Sequence, residues 1–247
     1  PVYIMCSSGT TGTPKSIVHS AGGTLLQHWK ELTLHCNLKK DDCIFYFTTC
    51  GWMMWNWLIS SLTIGSSIVL YDGSPFFPDG ERLWNMADKL EITIFGTSAK
   101  YIETCKNVKL KPKDFSDLSK LRTILSTGSP LTNECFDYVY NNVKSNLLLG
   151  SISGGTDIIS CFALANPILP VYKGELQCKG LGMDIDAFDD EGKSIKNKKG
   201  ELVCKSPFPS MPIYFWNDSD DKKYHDAYFT KFKDIWFHGD FIRITGQ

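Results

Sequence analysis

Short apolar runs recur along the first two thirds of this chain, at residues 44–47, 68–71, 93–95, 123–125 and 147–149. Helical patterns lie between several of them. That alternation predicts a parallel sheet covered by helices. Leu25, Leu26, Trp29 and Leu32 fall on one helical face, which predicts that they enter the core. Thr132 can cap a helix running from Asn133 to about residue 143. The opening Pro1-Val2-Tyr3-Ile4-Met5 reads as a strand running into a loop.

After Pro170 the texture changes. Segments 174–178, 183–188 and 201–205 alternate apolar and polar residues. Turn-rich Asp189-Asp190-Glu191-Gly192 and Asn197-Lys198-Lys199-Gly200 separate them. The expected fold class is therefore α/β: a mostly parallel, helix-covered sheet over residues 1–169, then a smaller antiparallel, barrel-like subdomain over 170–247. From Cys43 to Tyr71 no side chain is charged, a length sufficient to cross a bilayer. Asn56, Ser60, Ser61, Thr63, Gly65, Ser66 and Ser67 interrupt it, so it divides into a buried helix, a glycine break and a short strand.

Composition narrows the function classes. With 247 residues, 26 Lys and Arg against 27 Asp and Glu, and no basic block, the chain can bury a large core and offers no surface for non-specific nucleic-acid binding. Its nine cysteines form no C-x-x-C pair, and an odd number cannot all pair. They are expected to be free, mostly buried thiols of a reducing compartment, the cytosol, with none assigned to a metal or a nucleophile. The first residues lack the basic region and cleavage site of a signal peptide. Both ends read as cuts within a longer protein.

The segment Ser7-Ser8-Gly9-Thr10-Thr11-Gly12-Thr13-Pro14-Lys15 carries the strongest chemical signal. Glycines let successive amides converge on one anion, hydroxyls add donors, and the lysine adds charge, so the loop can hold a polyphosphate. It is not a Walker A loop, because Gly9 and Gly12 are too close together and Pro14 precedes the lysine. Three further segments follow apolar runs: Thr48-Thr49-Cys50-Gly51-Trp52, Thr127-Gly128-Ser129-Pro130, and Ser151-Ile152-Ser153-Gly154-Gly155-Thr156-Asp157. In open α/β sheets ligands bind beyond the carboxyl ends of strands, so these should line one crevice. Gly128 would let a flat base approach the backbone, with Pro130 holding the turn rigid. Asp157 suits Mg²⁺, which takes one or two protein oxygens besides phosphate and water, although a helix cap is the plainer reading. In His238-Gly239-Asp240, after apolar Ile235-Trp236-Phe237, the aspartate at a strand end can accept two hydrogen bonds from a ribose diol. Each of these, taken alone, also fits an ordinary strand-terminal turn.

Together and in this order, the segments resemble the acyl-adenylate-forming superfamily, which includes acyl-CoA synthetases, luciferases and peptide-synthetase adenylation domains. Within it, Val18 to Gly23, Gly51 to Trp57, Tyr71 to Pro75 and Gly150 to Ser160 are most similar to the acetoacetate-activating branch. The resemblance implies a two-step ligase: a carboxylate attacks the α-phosphorus of ATP, and coenzyme A then displaces AMP. It implies Ser7, Ser8, Gly9, Thr10, Thr11 and Gly12 with Lys15 around the phosphates, Thr156 at the α-phosphate and Mg²⁺ near Asp157. Gly128, Ser129 and Pro130 would meet adenine, Ser151, Ile152 and Ser153 would complete the nucleotide site, and Asp240 would take the ribose. Trp52, Met53, Met54, Thr127, Gly154 and Gly155 would line the acid pocket. Related acetate-activating enzymes carry tryptophan where Gly154 stands, so glycine there implies room for a longer acid. Asp157 and Ser129 stand where the superfamily usually has glutamate. The chain also ends before the superfamily's hinge and mobile C-terminal domain, so the isolated fragment is expected to make little or no thioester. Two other readings stay open: a synthetase for another short- or medium-chain acid, and a nucleotide-binding module without turnover. No membrane span and no nucleic-acid partner are expected.

Overall fold

A computed structural model describes residues 1–7 and 14–246. The chain opens as an antiparallel hairpin, β1 (Tyr3–Ser7) and β2 (Lys15–His19), followed by helix α1 (Ala21–Lys30). Each of the five apolar runs then supplies a strand: β3 (Cys43–Tyr46), β4 (Ser67–Val69), β5 (Ile94–Ser98), β6 (Thr123–Thr127) and β7 (Leu148–Ser151). All four pairings among them are parallel, in the order β4-β3-β5-β6-β7. Between these strands run α2 (Met53–Ser60), α3 (Arg82–Lys89) and α4 (Ala99–Asn107), and α5 (Asn133–Tyr138) lies between β6 and β7. Next come β8 (Ser153–Gly155), β9 (Ser160–Leu164) and β10 (Cys178–Lys179), an antiparallel sheet in the order β10-β9-β8. The chain finishes with β11 (Ile185–Phe188), β12 (Gly200–Cys204), β13 (Tyr214–Phe215), α6 (Lys222–Tyr228) and β14 (Trp236–Ile242).

Two compact units result. One comprises Gln27–Gly155 and Ile159–Gly180, the other Pro1–Leu26, Thr156–Ile158 and Leu181–Gln247. A single boundary near residue 170 does not describe them, because β13 pairs with β2 and so gathers the start of the chain with its last third. Segment 174–178 also departs from expectation. Only its last residue enters a strand, β10, which pairs with β9 rather than with the later strands. The antiparallel part consists of three open three-stranded sheets: β1-β2-β13, β10-β9-β8 and β11-β12-β14.

The larger unit is layered as its alternation demands. Phe45, Phe95, Ile124 and Leu149 face one cluster with Leu83 and Trp84 of α3 and Ile102 of α4. Their chain neighbours Ile44, Ile94 and Leu125 face a second cluster with Trp57 and Leu58 of α2. Successive side chains on a strand point to opposite faces, so burial on both faces yields uninterrupted apolar runs. The charge-free stretch ends as foreseen in α2, a left-handed Gly65 and β4. Among the described residues no helix is long and apolar enough to cross a membrane. Cys36, Cys105, Cys135, Cys161 and Cys204 are buried free thiols.

Helix α1 reverses its expected orientation. Leu32 is buried, but Leu25, Leu26 and Trp29 are exposed. The polar stripe Thr24, Gln27, His28, Glu31 and His35 is buried instead. Apart from Thr24, whose hydroxyl has no partner among the described residues, these groups find partners inside: His28 Nε2 lies 2.5 Å from the Ile159 carbonyl oxygen and His35 Nδ1 lies 2.7 Å from that of Ala165. A polar face can be buried when each group is hydrogen-bonded. At the other expected cap, Thr132 has the extended backbone of an N-cap residue, but its side chain makes no cap bond. The helix it precedes runs on to Val143 in the wider π geometry.

Candidate functional site

The β1–β2 hairpin fixes the two ends of the hydroxyl-rich loop, with Ser7 directly opposite Lys15. Ser8, Gly9, Thr10, Thr11 and Gly12 lie outside the described residues. The Ser7 hydroxyl is buried and has no partner among the described residues. Thr156 and Asp157 occupy the turn between β8 and β9, and the half-buried Asp157 meets Lys15. Lys15 Nζ is 2.6 Å from Asp157 Oδ1, with side chains 27% and 17% exposed.

A third group completes this arrangement. The Tyr228 hydroxyl, at the end of α6, donates to the same Oδ1 at 2.5 Å and lies 3.5 Å from Lys15 Nζ. The Lys15 ammonium also stands 4.9 Å from the centre of the Tyr228 ring, within cation–π range. That ring is stacked on Trp236 at 3.7 Å and 15°. Burial pushes the Asp157 carboxyl up, but hydrogen bonds from Lys15 and Tyr228 more than offset it and hold the group below its usual range. His238 stands close by, its Nε2 3.5 Å from Asp240 Oδ2. Burial lowers its pKa against the opposing pull of Asp157 and Asp240. The unit thus assembles a cation, two carboxylates, a phenol and an imidazole from four distant stretches of chain.

Asp240 is not at a strand end. Glu201 pairs with Phe241 and Val203 with Phe237, so His238, Gly239 and Asp240 stand opposite Leu202 alone. Gly239 takes φ +90°, the left-handed conformation that a bulge exploits. The bulge frees Asp240, whose side chain is 64% exposed, to accept hydrogen bonds from outside.

The remaining candidates belong to the larger unit. Gly128 follows β6 with φ +88°, and a Cβ built on it would meet nothing within 4 Å. Ser129 and Pro130 are exposed beside it, and the Thr127 hydroxyl reaches the Ile152 carbonyl at 3.4 Å. Ser151 and Ile152, at the end of β7, are buried, while Ser153 is half-buried in β8. Trp52 is exposed at the start of α2, and Met53 is half-buried. Met54 is a core residue, packed in the cluster that holds Trp57 and Leu38. Gly155 pairs with Ser160. Gly154 has a backbone reason to be glycine: a Cβ there would lie 2.1 Å from the Ser160 carbonyl oxygen and 2.7 Å from Cys161 Cα.

Among the described residues no group of three His, Cys, Asp or Glu could hold a metal ion. Asp157 can offer one carboxylate. That donor set suits Mg²⁺ only if phosphates and water supply the other ligands.

Tyr228 and Glu31 are among the buried polar groups that escaped the sequence reading. Tyr228 sits among aromatic residues and carries no motif. Glu31 had a signal, the stripe 24, 27, 28, 31, 35 at helical spacing. Fully buried, it accepts hydrogen bonds from Gln27 Nε2 at 2.9 Å, the Ser160 hydroxyl at 2.6 Å, the Cys161 amide at 3.3 Å and Trp57 Nε1 at 2.9 Å.

Known proteins are similar to this chain. The sequence profile of the AMP-binding enzyme family matches residues 1–215. An acetoacetyl-coenzyme A synthetase of Rhizobium meliloti (strain 1021) is 56% identical over 99% of this chain, and an acetoacetyl-CoA synthetase of Gallus gallus is 55% identical over 99%. The chain spans 38% and 37% of their respective lengths. The solved acetoacetyl-CoA synthetase from Streptomyces lividans superposes with a TM-score of 0.95 at 47% identity, covering all of this chain and 38% of that one.

Proposed function

The chain belongs to the AMP-binding enzyme family, and from that membership we propose that it supplies the nucleotide-binding part of a cytosolic ligase joining acetoacetate to coenzyme A at the expense of ATP. The observation that carries the reading is agreement along 99% of the chain with proteins named acetoacetyl-CoA synthetase. The acid's carboxylate oxygen bonds to the α-phosphorus while the bridge to the β-phosphate breaks and pyrophosphate leaves. The thiol of coenzyme A then attacks the acyl carbon and loses its proton, and AMP departs with the bridging oxygen.

Both steps concentrate negative charge, so positioning and electrostatic stabilisation do most of the catalysis. Lys15, fixed at the mouth of the β1–β2 hairpin, faces phosphate together with Ser7, and Thr156 offers a hydroxyl to the α-phosphate. Asp240, projecting from its bulge, takes the ribose diol. Gly128, with open space above it, admits adenine beside Ser129 and Pro130. Trp52, Met53, Thr127 and Gly155 contact the acid, with Met54 packed beneath. Mg²⁺, held through Asp157 and phosphate oxygens, would neutralise charge on the phosphates.

Acid-dependent exchange of labelled pyrophosphate into ATP tests this reading on the full-length protein. A panel running from acetate to medium-chain acids should give the fastest exchange with acetoacetate. Faster exchange with another acid would reassign the substrate. ATP binding without exchange would leave only a nucleotide-binding module.

A further inference from the structure

A phosphate arriving at Lys15 must compete with a carboxylate that already holds its charge. Nζ sits 2.6 Å from Asp157 Oδ1, and both side chains are largely withdrawn from solvent. As the ammonium turns toward phosphate, Asp157 is left with less compensation, and a buried charge without partners is costly. Among the described residues one other donor reaches the same oxygen, the Tyr228 hydroxyl at 2.5 Å. Besides its contact with Lys15, aromatic packing holds it in place. The ring lies flat on Trp236 and meets the edge of Phe215 at 5.7 Å, and Trp236 is itself fully buried in β14.

We propose that Tyr228 is a positioning residue for the nucleotide phosphates: its hydroxyl keeps Asp157 hydrogen-bonded as Lys15 turns away, so that the ammonium passes to phosphate at low cost. The inference rests on the reading of Lys15 as a phosphate ligand. Among the described residues Asp157 has two donors in the free protein, and with nucleotide bound it keeps one of them. Without the hydroxyl, it starts with one and ends with none. Losing the last partner of a buried acceptor costs more than losing one of two, so the missing hydroxyl penalises binding specifically. Once Lys15 is absent, Asp157 has the same donors before and after binding, and the hydroxyl no longer matters to affinity.

A double-mutant cycle reads this directly. Tyr228→Phe, Lys15→Ala and the double variant are made in the full-length protein, and near-UV circular dichroism verifies the Tyr228–Trp236 packing. Equilibrium binding of ATP is measured in EDTA, so that no cation takes the place of Lys15 on Asp157. Tyr228→Phe is expected to weaken ATP binding about 10-fold, equivalent to about 1.4 kcal/mol. In the Lys15→Ala background it should change affinity less than about twofold. Equal penalties in both backgrounds, as a purely structural tyrosine would give, or no penalty in either, overturn the proposal. If the wild type binds ATP but shows no acid-dependent exchange, the ligase reading fails while the cycle still decides the role of Tyr228. If it binds no ATP, both fall.

Discussion

Glu31 offers a quantitative test of how helix α1 is held. Its carboxylate is fully buried and accepts four hydrogen bonds, from Gln27, Ser160, Cys161 and Trp57, with Lys30 Nζ 3.9 Å away. Glu31→Ala removes the acceptor shared by all of them. The Ser160 hydroxyl can rotate toward another oxygen, but the other donors are left facing a void. At ~1–3 kcal/mol for each buried donor left unsatisfied, the total loss of stability should be about 4 kcal/mol. Glu31→Gln keeps the shape and one oxygen. Its best orientation points the oxygen at Gln27, Ser160 and Cys161 and sets its amide against the Trp57 N–H, a loss of about 1–2 kcal/mol. Urea unfolding at neutral pH, followed by circular dichroism and by tryptophan emission, should rank wild type above Gln and Gln above Ala, with unchanged slopes. A Glu31→Gln protein as stable as wild type, or more so, would refute the reasoning. It would mean that desolvating the carboxylate outweighs the bonds it accepts.

Acid should weaken the fold before its carboxylates titrate. Burial lowers the pKa of His28, His35 and His238 from 6.5, so their contribution is complete above pH 6.5 and declines as pH falls toward the folded values. The urea midpoint is expected to drop between about pH 7.5 and 5.5, and less steeply in His28→Gln; a flat profile across that window would contradict the assignment. Gly154→Ala places a Cβ against the Ser160 and Cys161 backbone and should cost about 2 kcal/mol or more by opening the β8–β9 pair. A loss below about 0.5 kcal/mol would show that the hairpin yields freely and would make Gly154→Trp a clean probe of acid length.

The sheet was legible because its information is local. Each apolar run needs only its own burial on two faces to declare itself, and Ile44, Phe45 and Tyr46 do so in three consecutive residues that enter alternate clusters. Helix α1 misled for the converse reason. Periodicity identifies its two faces but does not say which one turns inward, and the partners that reward the polar face, the carbonyls of Ile159 and Ala165, lie 131 and 130 residues away. The same distance hides the site. Lys15 and Asp157 are each conspicuous, but their ion pair joins positions 142 apart, and Tyr228 adds a partner 71 residues beyond Asp157. No local signal marks one tyrosine among the ten in the chain as the donor to that carboxylate.

The glycines show how one residue type serves two ends that sequence alone cannot separate. Gly154 is small because a neighbouring strand occupies the space a side chain would need, and its conformation is one that any residue could adopt. Gly128 and Gly239 have open space where a Cβ would stand and positive φ angles of 88° and 90°. Packing therefore does not exclude a side chain at either place; the backbone conformation does. One turns the chain out of β6, and the other lifts Asp240 off the β12–β14 ladder. An alanine at either position would be resisted by strain rather than by collision. The space beside Gly128 is open to a ligand, whereas at Gly154 the backbone of Ser160 and Cys161 in β9 already fills it.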